Sequence, residues 1–183
     1  MARVKSNRFV PLNIAILTVS NSRGPEQDTA GDLLQQKVID SGHHVLNRQL
    51  HKANIYKVRA EVATWIASDD IDVVLISGGT GLTPDDITPS AIDVLFDVSV
   101  SGFGELFRHL SCSQIGTSSL QSRALAGLSN RTLVVAMPGS PNACATAWDE
   151  ILCQQLDSRC GPCNFVAELK SHRVEQCHSR EMN

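Results

Sequence analysis

Aromatic residues are scarce in this chain: two Trp, one Tyr and five Phe make up 4% of its 183 residues. That leaves no basis for the stacking platforms that single-stranded nucleic acids require. Long apolar runs are lacking as well, and none approaches the roughly 18 residues of a membrane-spanning helix. No one sign of charge dominates. The balance is 16 Lys and Arg against 19 Asp and Glu, a net −3, which argues against a nucleic acid or an acidic membrane as partner. The first ten residues carry Arg3, Lys5 and Arg8 without the apolar stretch of a signal peptide. With no export signal, the expected compartment is the cytoplasm.

What is present fits one α/β domain. Hydrophobic residues make up 42% and mean hydropathy is −0.06. A chain of this length buries about 70% of its unfolded surface. No repeats or low-complexity linkers occur. The expected layout is a flexible arm over 1–12, the domain over 13–170 and a flexible tail over 171–183.

The most informative stretch is 72–89, DVVLISGGTGLTPDDITP. Asp72–Ser77 is a β-branched apolar run suited to a buried parallel strand. Gly78, Gly79, Thr80 and Gly81 follow, and glycines there allow a sharp turn and close approach of a ligand to backbone N–H groups. Asp85 and Asp86 stand next in the loop. Thr88 then Pro89 predicts an N-cap followed by proline at the first helical position. Strand, glycine loop with carboxylates and helix start together suit a phosphorylated ligand and its metal. The loop is neither a Walker A motif, lacking Gly-Lys-Ser/Thr, nor a dinucleotide fingerprint, because Pro84 stands where the last glycine belongs. A tight strand–helix turn with solvated aspartates is the competing reading.

The remaining elements alternate. Asn13–Val19 predicts a strand ending in Thr18, Ser20 and Asn21, small polar groups where open α/β sheets place ligands. Asp28 or Thr29 caps a helix running to about Ser41. A second strand covers 44–51, and 55–68 predicts a helix with Val58, Val62 and Trp65 inside. After the central unit come a helix from Pro89, a sharp turn at Gly102–Gly104, and a helix with Glu105 in its first turn. A hydroxyl-rich loop over 114–122 ends at Arg123, an anion contact. Thr132–Met137 is another buried strand. Pro138, Gly139, Ser140 and Pro141 form a second strand–turn–helix unit, its helix running to about Leu156. The expected fold is an open, mostly parallel sheet with helices on both faces.

Six cysteines stand at 112, 144, 153, 160, 163 and 177. Cys160 and Cys163 have the spacing of a redox dithiol or half a zinc site. A redox pair should open a helix after a strand, and this one follows a predicted helix. Zinc would need two more ligands, for which Cys153, Cys177 or His178 are candidates. Incidental thiols are the expected outcome.

Seven motifs in this order resemble the MoaB/Mog family of molybdenum cofactor biosynthesis proteins: LTVSNSR (17–23), Asp28–Gly31, SGGTG (77–81), Asp86-x-Thr88-Pro89, GFGE (102–105), SR (122–123) and MPGSPNA (137–143). The details are most similar to bacterial MoaB. The resemblance covers about 13–157 and implies a molybdopterin-binding domain assembled as a homotrimer or homohexamer, with other molybdenum cofactor synthesis proteins as partners. Mog-type members adenylylate molybdopterin with Mg-ATP before metal insertion. Carried over by motif, the ligand is met by Thr18, Ser20, Asp28, Gly78, Gly79, Thr80, Gly81, Thr88, Gly102, Phe103, Gly104, Glu105, Ser119, Ser122, Arg123, Pro138, Gly139 and Ser140. Asp86 matches the catalytic, magnesium-associated aspartate. One position departs: active Mog-type enzymes carry a second Asp after the second strand, where this chain has Ala53. The resemblance therefore implies two functions, a nucleotidyltransferase-like enzyme or a catalytically inactive carrier of molybdopterin or its precursor.

Overall fold

The computed structural model describes residues 8–170. Two unbroken apolar runs lie at its centre, β1 (Asn13–Val19) and β3 (Val73–Ser77). Their side chains alternate between two cores, as the pleat of a strand requires. One core takes Ile14, Ile16, Val73, Leu75, Leu133, Val135 and Met137; the other takes Ala15, Leu17, Val19, Val74, Ile76, Val134 and Ala136. Helices must cover both faces of such a sheet.

The sheet has six strands in the order β2-β1-β3-β6-β5-β4, where β2 is His44–His51, β4 Val98–Ser99, β5 Leu125–Ser129 and β6 Thr132–Met137. The first four in that order run parallel; β5 and β4 are antiparallel additions at one edge. Helices α1 (Thr29–Asp40), α4 (Ser101–Ile115) and α5 (Pro141–Ala147) pack residues into the first core. Helices α2 (Ile55–Ile66) and α3 (Thr88–Ile92) cover the second, α2 with Val58, Val62 and Trp65. A π turn at Trp148–Leu152 and the short α6 (Cys153–Gln155) continue α5, and α7 (Val166–Lys170) ends the described chain.

Several details differ from the sequence expectation. The strands β4 and β5 were not expected. Two residues are too few to show a period, and LAGLS is weak strand material. Gly127 is needed there, because a Cβ would lie 2.3 Å from the Phe96 ring. The glycines of Gly102–Gly104 do not turn the chain; they lie inside α4, which starts at Ser101. Gly104 is small so that the helix can press against the Ala124 carbonyl, 2.4 Å from where a Cβ would stand. Of the segment over 114–122, all but the extended Ser122 is helical, α4 running on into a 3₁₀ turn at Gly116–Gln121. Residues 8–12 belong to the packed body and not to a flexible arm: Leu12 is fully buried, Phe9 lies 5.1 Å from the His43 ring, and the Val10 N–H donates to Ser158 Oγ at 3.0 Å. The expected tail over 171–183 lies outside the described residues.

Candidate functional site at the carboxyl edge of the sheet

All four parallel strands end on one edge of the sheet, at Val19, His51, Ser77 and Met137. The chain goes from β1 outward to β2 and then returns to place β3 on the other side of β1. Such a switch point leaves a crevice at the carboxyl ends of the strands.

The glycine loop is built for close approach. Gly78 and Gly79 have φ of 95° and 66°, a region that favours glycine. A Cβ on Gly78 would stand 2.3 Å from the Val19 carbonyl. The opposite turn touches it, since a Cβ on Gly139 would lie 3.0 Å from the Gly78 Cα. The Gly78 N–H donates to the Met137 carbonyl at 2.9 Å. The N–H groups of Gly79, Thr80, Gly139 and Ser140 make no hydrogen bond among the described residues. Two turns in contact therefore carry four available donors, the chemistry a phosphate requires. Arg23 ties the β1–α1 loop to the second turn by donating from Nη1 to the Gly139 carbonyl at 2.8 Å. Ser140 caps α5, accepting from Ala143 N at 3.2 Å, with Pro141 at the first helical position as expected.

Thr88 has a different task from the one its sequence position suggests. It lies within α3, whose N-cap position is Ile87, and its buried hydroxyl donates to the Gly78 carbonyl at 2.8 Å. Its N–H donates to the Gly79 carbonyl at 2.9 Å. Thr88 thus holds the glycine loop from below.

Asp86 is half-buried, with Oδ2 accepting from the Thr83 hydroxyl at 2.6 Å and from Thr83 N at 2.9 Å. These bonds, the hydroxyl's first, hold its carboxyl below the ordinary carboxylate range, helped by the Gly81 N–H and the charge of Arg123. Arg123 is a clamp. Its N–H donates to the Thr80 carbonyl at 2.8 Å, its Nε to the Gly81 carbonyl at 2.7 Å, and its Nη2 to the Asp86 carbonyl.

On the β2 side the loop offers no carboxylate. The Ala53 N–H donates to Asn21 Oδ1 at 2.9 Å, and its methyl packs on the same apolar cluster as Ile87, the residue that follows Asp86 in sequence. The Asn54 side chain caps α2, accepting from Tyr56 N and Lys57 N. Glu61 reaches His51, 3.3 Å from Nε2. Asp85 is exposed. Among the described residues no group of three or more His, Cys, Asp or Glu is placed to hold a metal. One carboxylate, Asp86, is consistent with Mg²⁺ only as that ion is usually held in nucleotide sites, with substrate phosphates supplying further ligands.

The other expected site residues divide into two groups. Thr18, Asp28 and Thr80 are buried beneath the edge, and Asp28 caps α1 by accepting from Gly31 N at 3.0 Å. Ser20 accepts from Arg23 N at 3.2 Å. Ser119 is buried, and Ser122 N donates to its carbonyl at 3.1 Å. Pro138 precedes Gly139, and its carbonyl faces the Cys144 thiol, which burial pushes up to about 12. The GFGE residues stand apart. Phe103 is in the core, its ring 6.2 Å from Phe107. Gly104 and Glu105 line a cleft of about 240 Å³ with Arg108, and no residue of the glycine loop lines it. Gly102 and Phe103 border an apolar cleft of about 260 Å³. Cys160 and Cys163 are free thiols remote from these residues in sequence; Cys177 and His178 lie outside the described residues. The sequence reading passes over Arg48 and takes Ser77 only as a strand end and the first residue of SGGTG; both are joined to Asp28 through the network described below. An arginine on a half-buried edge strand gives no signal of its own.

Comparison with known proteins bears on this site. Residues 15–158 match the family model described as "Probable molybdopterin binding domain". Molybdenum cofactor biosynthesis protein B of Escherichia coli (strain K12) is 57% identical over 165 residues, covering 90% of this chain and 97% of that protein. The protein of the same name from Bacillus cereus is 37% identical over 142 residues, covering 77% and 84%. A crystal structure of a molybdenum cofactor biosynthesis protein B superposes with a TM-score of 0.77 at 36% identity, covering 80% of this chain and 92% of that one. These matches agree with the motif order, and the chain belongs to the MoaB/Mog family of molybdenum cofactor biosynthesis proteins.

Proposed function

We propose that this protein binds molybdopterin, or its precursor, at the carboxyl edge of the sheet and acts as a carrier without adenylyl-transfer activity of its own. The phosphate of the ligand sits between the two turns, on the donors of Gly79, Thr80, Gly139 and Ser140. Ser20 and the loop from Asn21 to Arg23 offer polar edges to the pterin in a mostly preformed cleft. The observation that carries the carrier reading is the loop at Ala53. Where a second carboxylate would stand there is a methyl group, and its neighbour Asn54 is committed to capping α2.

The second reading is Mg-ATP-dependent adenylylation of molybdopterin, favoured by the ionised, half-buried Asp86. When bound, Mg²⁺ would neutralise phosphate charge during transfer. Asp86 would hold it, while Arg123 keeps the loop in place. Either function suits a homo-oligomer, a trimer or hexamer. Six of the nine large apolar side chains exposed among the described residues, Leu82, Val94, Val98, Leu106, Ile115 and Leu120, lie within 82–120, and Ile39, Leu46 and Tyr56 lie outside it; the cluster of six supports burial against further copies.

The test is to incubate the protein with molybdopterin, ATP and Mg²⁺ and to quantify adenylylated pterin. The carrier reading expects bound pterin and no adenylylated product, with some turnover gained in Ala53→Asp. Turnover by the unaltered protein that Asp86→Ala abolishes establishes the enzyme instead.

A further inference from the structure

Beneath the glycine loop runs a connected line of polar side chains that ends on the edge strand. Asp28, 2% exposed, stands in the middle. Its carboxylate accepts from Gly31 N at 3.0 Å, from Thr18 Oγ1 at 2.9 Å and from Arg48 Nη2 at 2.8 Å. The other arm of the Arg48 guanidinium reaches Asp32 Oδ1 at 2.7 Å and Gln35 Oε1 at 3.2 Å. Thr18 lies opposite Ser77 in the β1–β3 register, and their hydroxyl oxygens are 3.3 Å apart. Ser77 leads directly into Gly78.

The direction of this line follows from its chemistry. An ionised carboxylate can only accept, so the Thr18 proton points at Asp28. The Thr18 oxygen is then free to accept, and the Ser77 proton points at Thr18. Each hydroxyl is oriented by the next group back towards the charge. Arg48 compensates the buried charge and, with a planar fork, fixes the carboxylate in one orientation between α1 and β2.

The geometry points to Arg48 as a positioning residue for the glycine loop. It touches no ligand. Through Asp28, Thr18 and Ser77 it sets the start of Gly78–Gly81 in the form that presents free N–H groups. The inference rests on the molybdopterin reading only where ligand affinity is measured.

The experiment is amide hydrogen exchange on the full chain as wild type, Arg48→Met and Arg48→Lys, with molybdopterin affinity measured in parallel. The reporters are the bonded amides of Gly78, Thr88 and Arg123, which close the loop. Arg48→Met raises their exchange about tenfold and weakens molybdopterin about tenfold, while amides of β5 are unchanged. Arg48→Lys, which keeps the charge without the fork, recovers part of both effects. A merely structural ion pair would move α1 and β2 amides and leave the loop reporters as in wild type; that result overturns the inference. Should Arg48→Met not fold, Arg48→Met combined with Asp28→Asn removes both charges, and the same loop reporters decide. Wild type that fails to bind molybdopterin contradicts the ligand reading, and the exchange result then decides this inference by itself.

Discussion

Arg123 and Asp86 are joined through the backbone carbonyl of Asp86, while the Asp86 carboxylate is held by Thr83. The cation therefore shapes the loop and leaves one carboxylate oxygen, Oδ1, outside that arrangement. An arginine that looks like an anion contact in the sequence is a brace in the structure. Replacing it should weaken the fold and ligand binding together. Arg123→Met loses charge-assisted bonds to two carbonyls, each contributing about 1.5–3 kcal/mol. Molybdopterin affinity should fall at least tenfold, with Arg123→Lys only partly better, because one ammonium cannot reach both carbonyls in the fork geometry. Titration of ligand against both variants, with melting temperatures alongside, checks this.

Gly78 should be the least replaceable residue of the loop. Its φ is positive and a Cβ would meet the Val19 carbonyl at 2.3 Å. Gly78→Ala should destabilise by roughly 2 kcal/mol or more and abolish binding. Gly24, with nothing within 4 Å of its Cβ position, is the control. Gly24→Ala should change stability by no more than about 0.5 kcal/mol. Urea unfolding of the two variants side by side gives the comparison.

The first strands and the core were legible because their chemistry is local. Asn13–Val19, Val73–Ser77 and Thr132–Met137 are too apolar and β-branched to be anything but buried strands, and Asp28 and Ser140 were readable as caps. Asp86 and the two turns came from motif order. What stayed hidden depended on distant contacts. Thr88 reads as a cap from its Pro89 neighbour, yet the Gly78 carbonyl above it claims its hydroxyl. GFGE reads as a turn, yet Ala124 across the gap explains its second glycine. Arg48 has no local signature at all, since its meaning comes from Asp28, twenty residues away.

Acid should destabilise the fold through His43. The Leu12 N–H donates to its Nδ1 at 3.1 Å, so the buried ring is neutral there. Burial lowers its pKa from 6.5, outweighing the nearby carboxylates Asp157 and Asp72. The unfolded chain then binds a proton more readily than the native one. Stability is complete above pH 6.5 and is lost as pH falls through the lowered native value, by at most about 1.4 kcal/mol per pH unit from this group. His43→Gln keeps an acceptor for Leu12 and should flatten that part of the profile. Melting temperature against pH from 5 to 8 for both proteins reads the difference.

The cysteine pair should be dispensable. Cys160 and Cys163 are free, and no metal-binding group forms among the described residues. Cys160→Ser with Cys163→Ser should leave melting temperature and pterin binding unchanged. Zinc retained by the purified wild type and lost by the variant would overturn this.

The role of the two turns depends on where the ligand's phosphate sits. The direct measurement is residue-resolved amide protection on adding molybdopterin. New protection is expected at Gly79, Thr80, Gly139 and Ser140, whose N–H groups are otherwise unbonded among the described residues. Protection confined to the cleft at Glu105 and Arg108, or none at all, would contradict it.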